Sequence, residues 1–135
     1  MTLQVQVVSP ERVLWSGEAE MVTTRVLEGG DISFLTGHVP YLGALDIGLM
    51  IVRPESGDDI AFAVHGGFVE VSNDTVSVIS DVAETKDAID VERARRALER
   101  AVALEKAEAG VLDATLARKR AELRLSLAGA DVPAH

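Results

Sequence analysis

The sequence predicts a mainly β fold with an α-helical tail. In outline it is a β-sandwich of about ten short strands followed by an antiparallel two-helix hairpin. Three observations carry this. Through residues 1–83 apolar side chains alternate with polar ones or sit in short runs bounded by turn residues. Across residues 81–100, DVAETKDAIDVERARRALER, the apolar spacing changes to every third or fourth position. The charge changes at the same place. Residues 1–83 hold three basic side chains (Arg12, Arg25, Arg53) against twelve acidic ones, whereas residues 84–135 hold ten of each. The formal charge of −9 therefore resides in the first part. The expected boundary places a β-sandwich domain at 1–86 and a helical hairpin at 87–135.

The strands are expected in sequence order. Leu3, Val5 and Val7 alternate with Gln4 and Gln6, as in a half-buried strand. Ser9-Pro10-Glu11 turns the chain, and Val13-Leu14-Trp15 forms a short strand that stops at Ser16-Gly17. A strand over 19–26 leads to the turn Glu28-Gly29-Gly30-Asp31, where paired glycines permit positive φ. A brief strand over 32–35 precedes an irregular loop, Thr36-Gly37-His38-Val39-Pro40. Leu45 with Ile47, then 49–52, are expected as two strands around Gly48. Ile60, Phe62 and Val64 give another before a glycine corner at Gly66-Gly67. Phe68, Val69 and Val71 rise to Asn73-Asp74, a tight hairpin turn, and Val76, Val78 and Ile79 return.

Asp87 or Asp90 caps a helix over about 89–109, with Ala94, Ala97, Leu98, Ala101 and Leu104 as its apolar stripe. Gly110 is its stop. A second helix covers about 112–128, with Leu116, Leu123 and Leu127 on one side, and Gly129 and Pro133 end it. Such a hairpin has little core of its own, so it must dock on the sandwich, on a partner, or on each in turn.

Composition removes whole classes of function. Hydrophobic residues make up 47% of the 135, enough for a real core. The absence of cysteine excludes disulfides, thiolate catalysis and thiolate zinc sites. A pI near 4.7 argues against a nucleic-acid partner. The N-terminus reads as a strand, with neither a signal peptide nor a transit peptide expected. No apolar run approaches the roughly 20 residues of a membrane span, so membrane attachment is expected only through a complex.

Few residues suggest chemistry. There is no Gly-Lys-Ser/Thr phosphate loop, and neither glycine pair precedes a helix. His38, His65 and His135 do not form a ligand set, so no metal is expected. No Gly-x-Ser-x-Gly elbow accompanies the serines, which leaves a small enzyme built on His38 or His65 as the weakest of three readings. The arginines of the tail are more informative. Arg93 and Arg100 are seven apart, roughly 10 Å along one helix face, and Arg120 and Arg124 are four apart on the next. Converging guanidinium groups repel unless an anion lies between them, and Arg suits phosphate. The plainer reading is a solvated face with ion pairs such as Glu92–Arg96 and Arg95–Glu99.

The landmarks Gly30-Asp31-Ile32, Gly37-His38-Val39-Pro40, Gly66-Gly67-Phe68-Val69 and Ile89-Asp90-Val91-Glu92-Arg93-Ala94 occur in the order and spacing of one family. In these residues the whole chain resembles the epsilon subunit of the bacterial and chloroplast F-type ATP synthase. The last run looks like the Ile/Leu-Asp-x-x-Arg-Ala motif of members that bind ATP. Ser33-Phe34 and Thr36 depart from the glycine, smaller aliphatic and proline more frequent there.

The resemblance implies a non-catalytic central-stalk subunit at the cytoplasmic face of the bacterial cell membrane, coupling rotation to proton flow. Its sandwich would bind the gamma subunit and the ring of c subunits, with Glu28, Asp31 and His38 facing the ring. Its hairpin would be a mobile arm that reaches the alpha and beta subunits when extended and hinders ATP hydrolysis. The resemblance implies no cofactor, but ATP as a regulatory ligand. Glu84, Asp90 and Arg93 would lie near base and ribose, with Arg100, Arg120 and Arg124 at the phosphates. The run Arg118-Lys119-Arg120 leaves two registers open on the second helix. The alternative is an unrelated β-sandwich adaptor whose hairpin recruits a partner.

Overall fold

The computed structural model describes residues 2–108 and 112–132. The chain forms two compact units, Met1–Glu84 and Thr85–His135. The expectations placed on Gly110, Pro133 and His135 fall outside the described residues.

The first unit contains seven strands: β1 (Leu3–Val8), β2 (Val13–Val26), β3 (Gly30–Leu35), β4 (Tyr41–Pro54), β5 (Ile60–Ser72), β6 (Thr75–Ile79) and β7 (Ala83–Thr85). They hydrogen-bond in the order β1-β6-β5-β4-β2-β3, and β1 also pairs with β2. That extra pairing closes β1, β6, β5, β4 and β2 into a flattened barrel, with β3 continuing along β2. Closure leaves few open edges to template aggregation. Alternation sets what faces inward. Leu3, Val5 and Val7 are fully buried, as are Val22, Phe34, Val52, Val69, Val76 and Val78. Valine dominates because β-branched side chains suit a pleated surface and fill a narrow interior.

Seven strands stand where about ten were expected, because three pairs of expected strands are continuous. β2, β4 and β5 run for 14, 14 and 13 residues, passing through Gly17, Gly48 and Gly66-Gly67. Glycine here bends a strand instead of ending it, which lets one strand serve both layers. β2 pairs with β1 through Ala19 and with β3 from Met21 onward. The expected corner at Gly66-Gly67 is thus the middle of β5. Gly67 has φ +114°, and a Cβ there would lie 2.1 Å from the carbonyl oxygen of Ile79. Only glycine fits where β5 crosses the end of β6. Short β7, which pairs with β5, has no signal in the apolar pattern.

Asn73 and Asp74 adopt φ of 50° and 58°, the two left-handed residues of a tight hairpin between β5 and β6, as their sequence predicts.

The second unit contains a short 3-10 turn at Lys86–Ala88 and helices α1 (Val91–Ala107) and α2 (Leu112–Leu127). Of the two capping candidates, Asp90 is the N-cap. Ala94, Leu98, Ala121 and Leu125 form the core between the helices. The expected stripe of α1 holds except at its end: Ala94, Leu98 and Ala101 are buried and Ala97 packs beside them, while Leu104 is exposed. On α2 the buried residues are Ala114, Ala121 and Leu125, not Leu116, Leu123 and Leu127. Leucines encircle α2, so its pattern does not single out a face, and the small alanines decide it by allowing close approach.

Candidate functional site

The arginines of the hairpin take their positions from its handedness. Glu105, late in α1, meets Thr115 and Arg118, early in α2, so the helices are antiparallel. In such a pair, the residue one position before a core-facing residue lies on the same side of both helices, because each advances about 100° per residue and they run in opposite directions. Arg93 precedes buried Ala94 and Arg100 precedes buried Ala101. Arg120 precedes buried Ala121 and Arg124 precedes buried Leu125. The four guanidinium stems therefore rise from one face. Ala97, which precedes Leu98, lies between Arg93 and Arg100 and offers only a methyl there. Among the described residues the side chains of Arg93, Arg100 and Arg120 make no ion pair. Asp90 accepts the backbone N–H of Arg93 at 3.1 Å through Oδ1, which fixes the start of α1 and with it the position of Arg93.

The opposite side of the hairpin holds a clasp that the sequence did not disclose. Arg118 donates from Nε to Glu105 Oε1 at 2.6 Å and from its terminal nitrogen to Glu122 Oε1 at 2.7 Å. Thr115 donates to the other oxygen of Glu105 at 3.2 Å. The hydrogen bond to Glu105 is the main reason the Arg118 pKa is raised further, with Glu122 adding to it and burial working the other way. Arg118 is thus engaged across the helices, which leaves Arg120 and Arg124 on the arginine face. The expected pairs Glu92–Arg96 and Arg95–Glu99 give way to Arg95–Glu92 at 2.6 Å. Spacings of three and four are both neighbours on a helix and differ by tenths of a kcal/mol.

Glu84 belongs to the first unit, near the end of its last strand. It is not a lone carboxylate there. His65 Nε2 lies 2.9 Å from Glu84 Oε1, with the histidine side chain only 2% exposed. In sequence His65 has no acidic neighbour; the pairing of β7 with β5 supplies one 19 residues away.

The candidate ring-contact residues lie around β3. Glu28 is exposed in the turn before it. Asp31 is exposed and pairs with Arg25 at 3.2 Å across the β2–β3 ladder. His38 is half-buried, its ring edge-on to buried Phe34 at 4.9 Å, and its Nδ1 lies 2.7 Å from the Val39 carbonyl. The loop presents apolar surface, with Leu35, Val39 and Leu42 exposed by 55%, 70% and 69%. Asp74, from the distant β5–β6 turn, accepts the N–H of Gly37 at 2.7 Å. No group of three or more potential metal ligands occurs among the described residues. No helix among them is long and apolar enough to cross a membrane.

The model of the ATP synthase delta/epsilon chain β-sandwich domain matches residues 2–86. The chain is an ATP synthase epsilon-family member. Relatives named ATP synthase epsilon chain support this along most of the chain. The one from Streptomyces griseus is 44% identical over 123 residues, which span 91% of this chain and 92% of the relative. That from Bacillus pumilus is 41% identical, covering 95% and 98%. That from Synechococcus elongatus is 40% identical, covering 96% of each. A chain of the Euglena gracilis mitochondrial ATP synthase, solved with its c-ring, superposes with a TM-score of 0.71 at 23% identity, covering 95% of this chain and 78% of that one. As an epsilon-family member the chain is an accessory, non-catalytic subunit of ATP synthase.

Proposed function

We propose that this epsilon-family chain works in the central stalk, where its barrel joins a gamma subunit to the c-subunit ring and helps couple rotation to proton flow. Solved structures of similar fold support the location, since they are ATP synthase assemblies that include a c-ring and, in one case, the central stalk. Glu28, Asp31 and His38, with exposed Val39 and Leu42, are the residues we assign to the ring. The assembly holds the chain peripherally at the cytoplasmic face of the membrane.

The hairpin is the regulatory arm in this reading. Its arginine face carries the argument. Four cations on one face repel one another, and a polyphosphate between them turns the repulsion into attraction. ATP is the anion we assign, with Arg100, Arg120 and Arg124 at its phosphates and Asp90 and Arg93 nearer the nucleoside. Glu84 completes this set in the same reading, and its bond to His65 orients the carboxylate. ATP stabilises the closed hairpin by its differential affinity for that state. When ATP is scarce the helices separate, extend towards the alpha and beta subunits, and hinder hydrolysis.

Calorimetric titration of the isolated chain with ATP is the test. Arg93→Ala and Arg100→Ala should each weaken binding by about tenfold, the loss of one charge-assisted hydrogen bond, without altering the barrel. Absence of binding at millimolar ATP would remove the sensor and leave the stalk assignment standing.

A further inference from the structure

We propose that Asp74 is a positioning residue for the loop of residues 36–40, holding its apolar surface in the form that meets the ring. The inference rests on the assignment of that loop to the c ring made above. Gly37 has φ +85°, a conformation that any other residue adopts only under strain. Besides the contact of His38 Nδ1 with the Val39 carbonyl at 2.7 Å, two backbone N–H groups tie the loop down. His38 N–H reaches back to the Leu35 carbonyl at 3.1 Å, and Gly37 N–H goes to Asp74 Oδ1 at 2.7 Å, across 37 positions of sequence. A carboxylate accepting a backbone N–H at this distance makes one of the stronger hydrogen bonds available to a loop.

Asp74 is itself held firmly. Its backbone is left-handed, with φ 58°, beside Asn73 at 50°, and its carbonyl accepts Gln4 N–H from β1 at 2.8 Å. One residue therefore joins the β5–β6 turn, the first strand of the barrel and the contact loop. Val39 and Leu42 stand out at the surface, while His38 packs edge-on against buried Phe34. A surface already ordered before binding loses less conformational entropy on association. Asp74 supplies that order without touching the partner.

Two substitutions separate the hydrogen bond from the turn. Asp74→Gly keeps the left-handed backbone, which glycine prefers, and removes the acceptor. Asp74→Asn keeps both, since asparagine tolerates this conformation and its Oδ1 accepts. Hydrogen exchange of the Gly37 amide in the isolated chain should accelerate about tenfold in Asp74→Gly, as expected for one lost charge-assisted bond, and stay near wild type in Asp74→Asn. The chain has no cysteine, so Val39→Cys gives it a single cross-linking position, which can be used in the assembled synthase. Its cross-linking to c subunits should fall severalfold in Asp74→Gly and recover in Asp74→Asn. Unchanged Gly37 exchange in Asp74→Gly would overturn the pin. Faster exchange with undiminished cross-linking to the ring would overturn the positioning role. Cross-linking in the Asp74-containing protein only to other subunits would overturn the ring assignment, while Gly37 exchange would still decide whether Asp74 orders the loop.

Discussion

Thr24 is almost fully buried, and among the described residues its hydroxyl has no hydrogen-bond partner. It lies where β2 loses register with β4, between Thr23 and Val26. A buried hydroxyl without a partner loses hydration and gains nothing in return. Thr24→Val keeps the shape and removes the hydroxyl, so it should stabilise the first unit by about 1–2 kcal/mol. A raised midpoint in urea with an unchanged slope is the expected result. Gly67 lies at the other extreme. A methyl at this position would collide with the Ile79 carbonyl and with Ser80 Cα, both backbone atoms that a side-chain rotation cannot move aside. Gly67→Ala should cost at least about 3 kcal/mol, combining left-handed strain with that clash. Equilibrium unfolding of the two variants should therefore move in opposite directions. The turn at Asn73-Asp74 was legible in the sequence because both residue types tolerate positive φ. The bond from Asp74 to Gly37 was not, because nothing local links positions 37 apart.

The hairpin is the element where packing and charge are most closely balanced. Alanines at 94, 101, 114 and 121 let the helices approach, and among the described residues only Leu98 and Leu125 add large buried side chains. The clasp of Arg118 with Glu105 therefore matters more here than a surface ion pair would. Its partners are about three-quarters removed from solvent, at 23% and 25% side-chain exposure. A double-mutant cycle with Arg118→Ala and Glu105→Ala should give a coupling of about 1 kcal/mol, above that of an exposed helix pair. The linkage has a definite sign. A base whose folded pKa is raised contributes stability that is complete below its unfolded pKa and lost only as pH rises through the folded value. For Arg118 that interval lies beyond the ordinary arginine range, so loss of its proton does not open the clasp between pH 6 and 9. Helicity of the wild-type hairpin measured by circular dichroism should show no transition from this group across that range.

At the scale of the molecule, two units of different character share one chain. The first has a closed barrel with a continuous core from β1 to β6. The second has a small core of four buried residues. Residues 1–86 should therefore fold alone and give a dispersed amide NMR spectrum. Residues 87–135 alone should show much reduced helicity, since isolated helices of this length are marginal in water. A collapsed, undispersed spectrum from 1–86 would contradict the first expectation. A stable, cooperative thermal transition from 87–135 would contradict the second. The concentration of negative charge in the first part also has a consequence. Two of its three arginines are already paired, Arg25 with Asp31 and Arg53 with Asp59. Partners of the barrel with basic surfaces should associate faster at low salt, and stopped-flow binding across a salt series reads this directly.

The sequence by itself determined the two kinds of structure, strands first and helices after, and some of the residues that turn the chain, Asn73-Asp74 among them. Periodicity is a local property, and so are caps and turns, which is why Asn73-Asp74 could be read directly and the cap narrowed to Asp87 or Asp90, of which Asp90 serves. The family resemblance was legible for the same reason, as short motifs in fixed order. Tertiary structure decided which glycines bend and which end a strand, because that depends on what crosses beside them, as Ile79 does at Gly67. It decided which face of leucine-rich α2 turns inward, through the alanines that permit close contact. It also decided polar links across long separations, among them His65 to Glu84, Asp74 to Gly37, and Arg118 to Glu105. Those partners meet only once strand pairing and helix docking have fixed the distance between them, and no pattern along the chain encodes that distance.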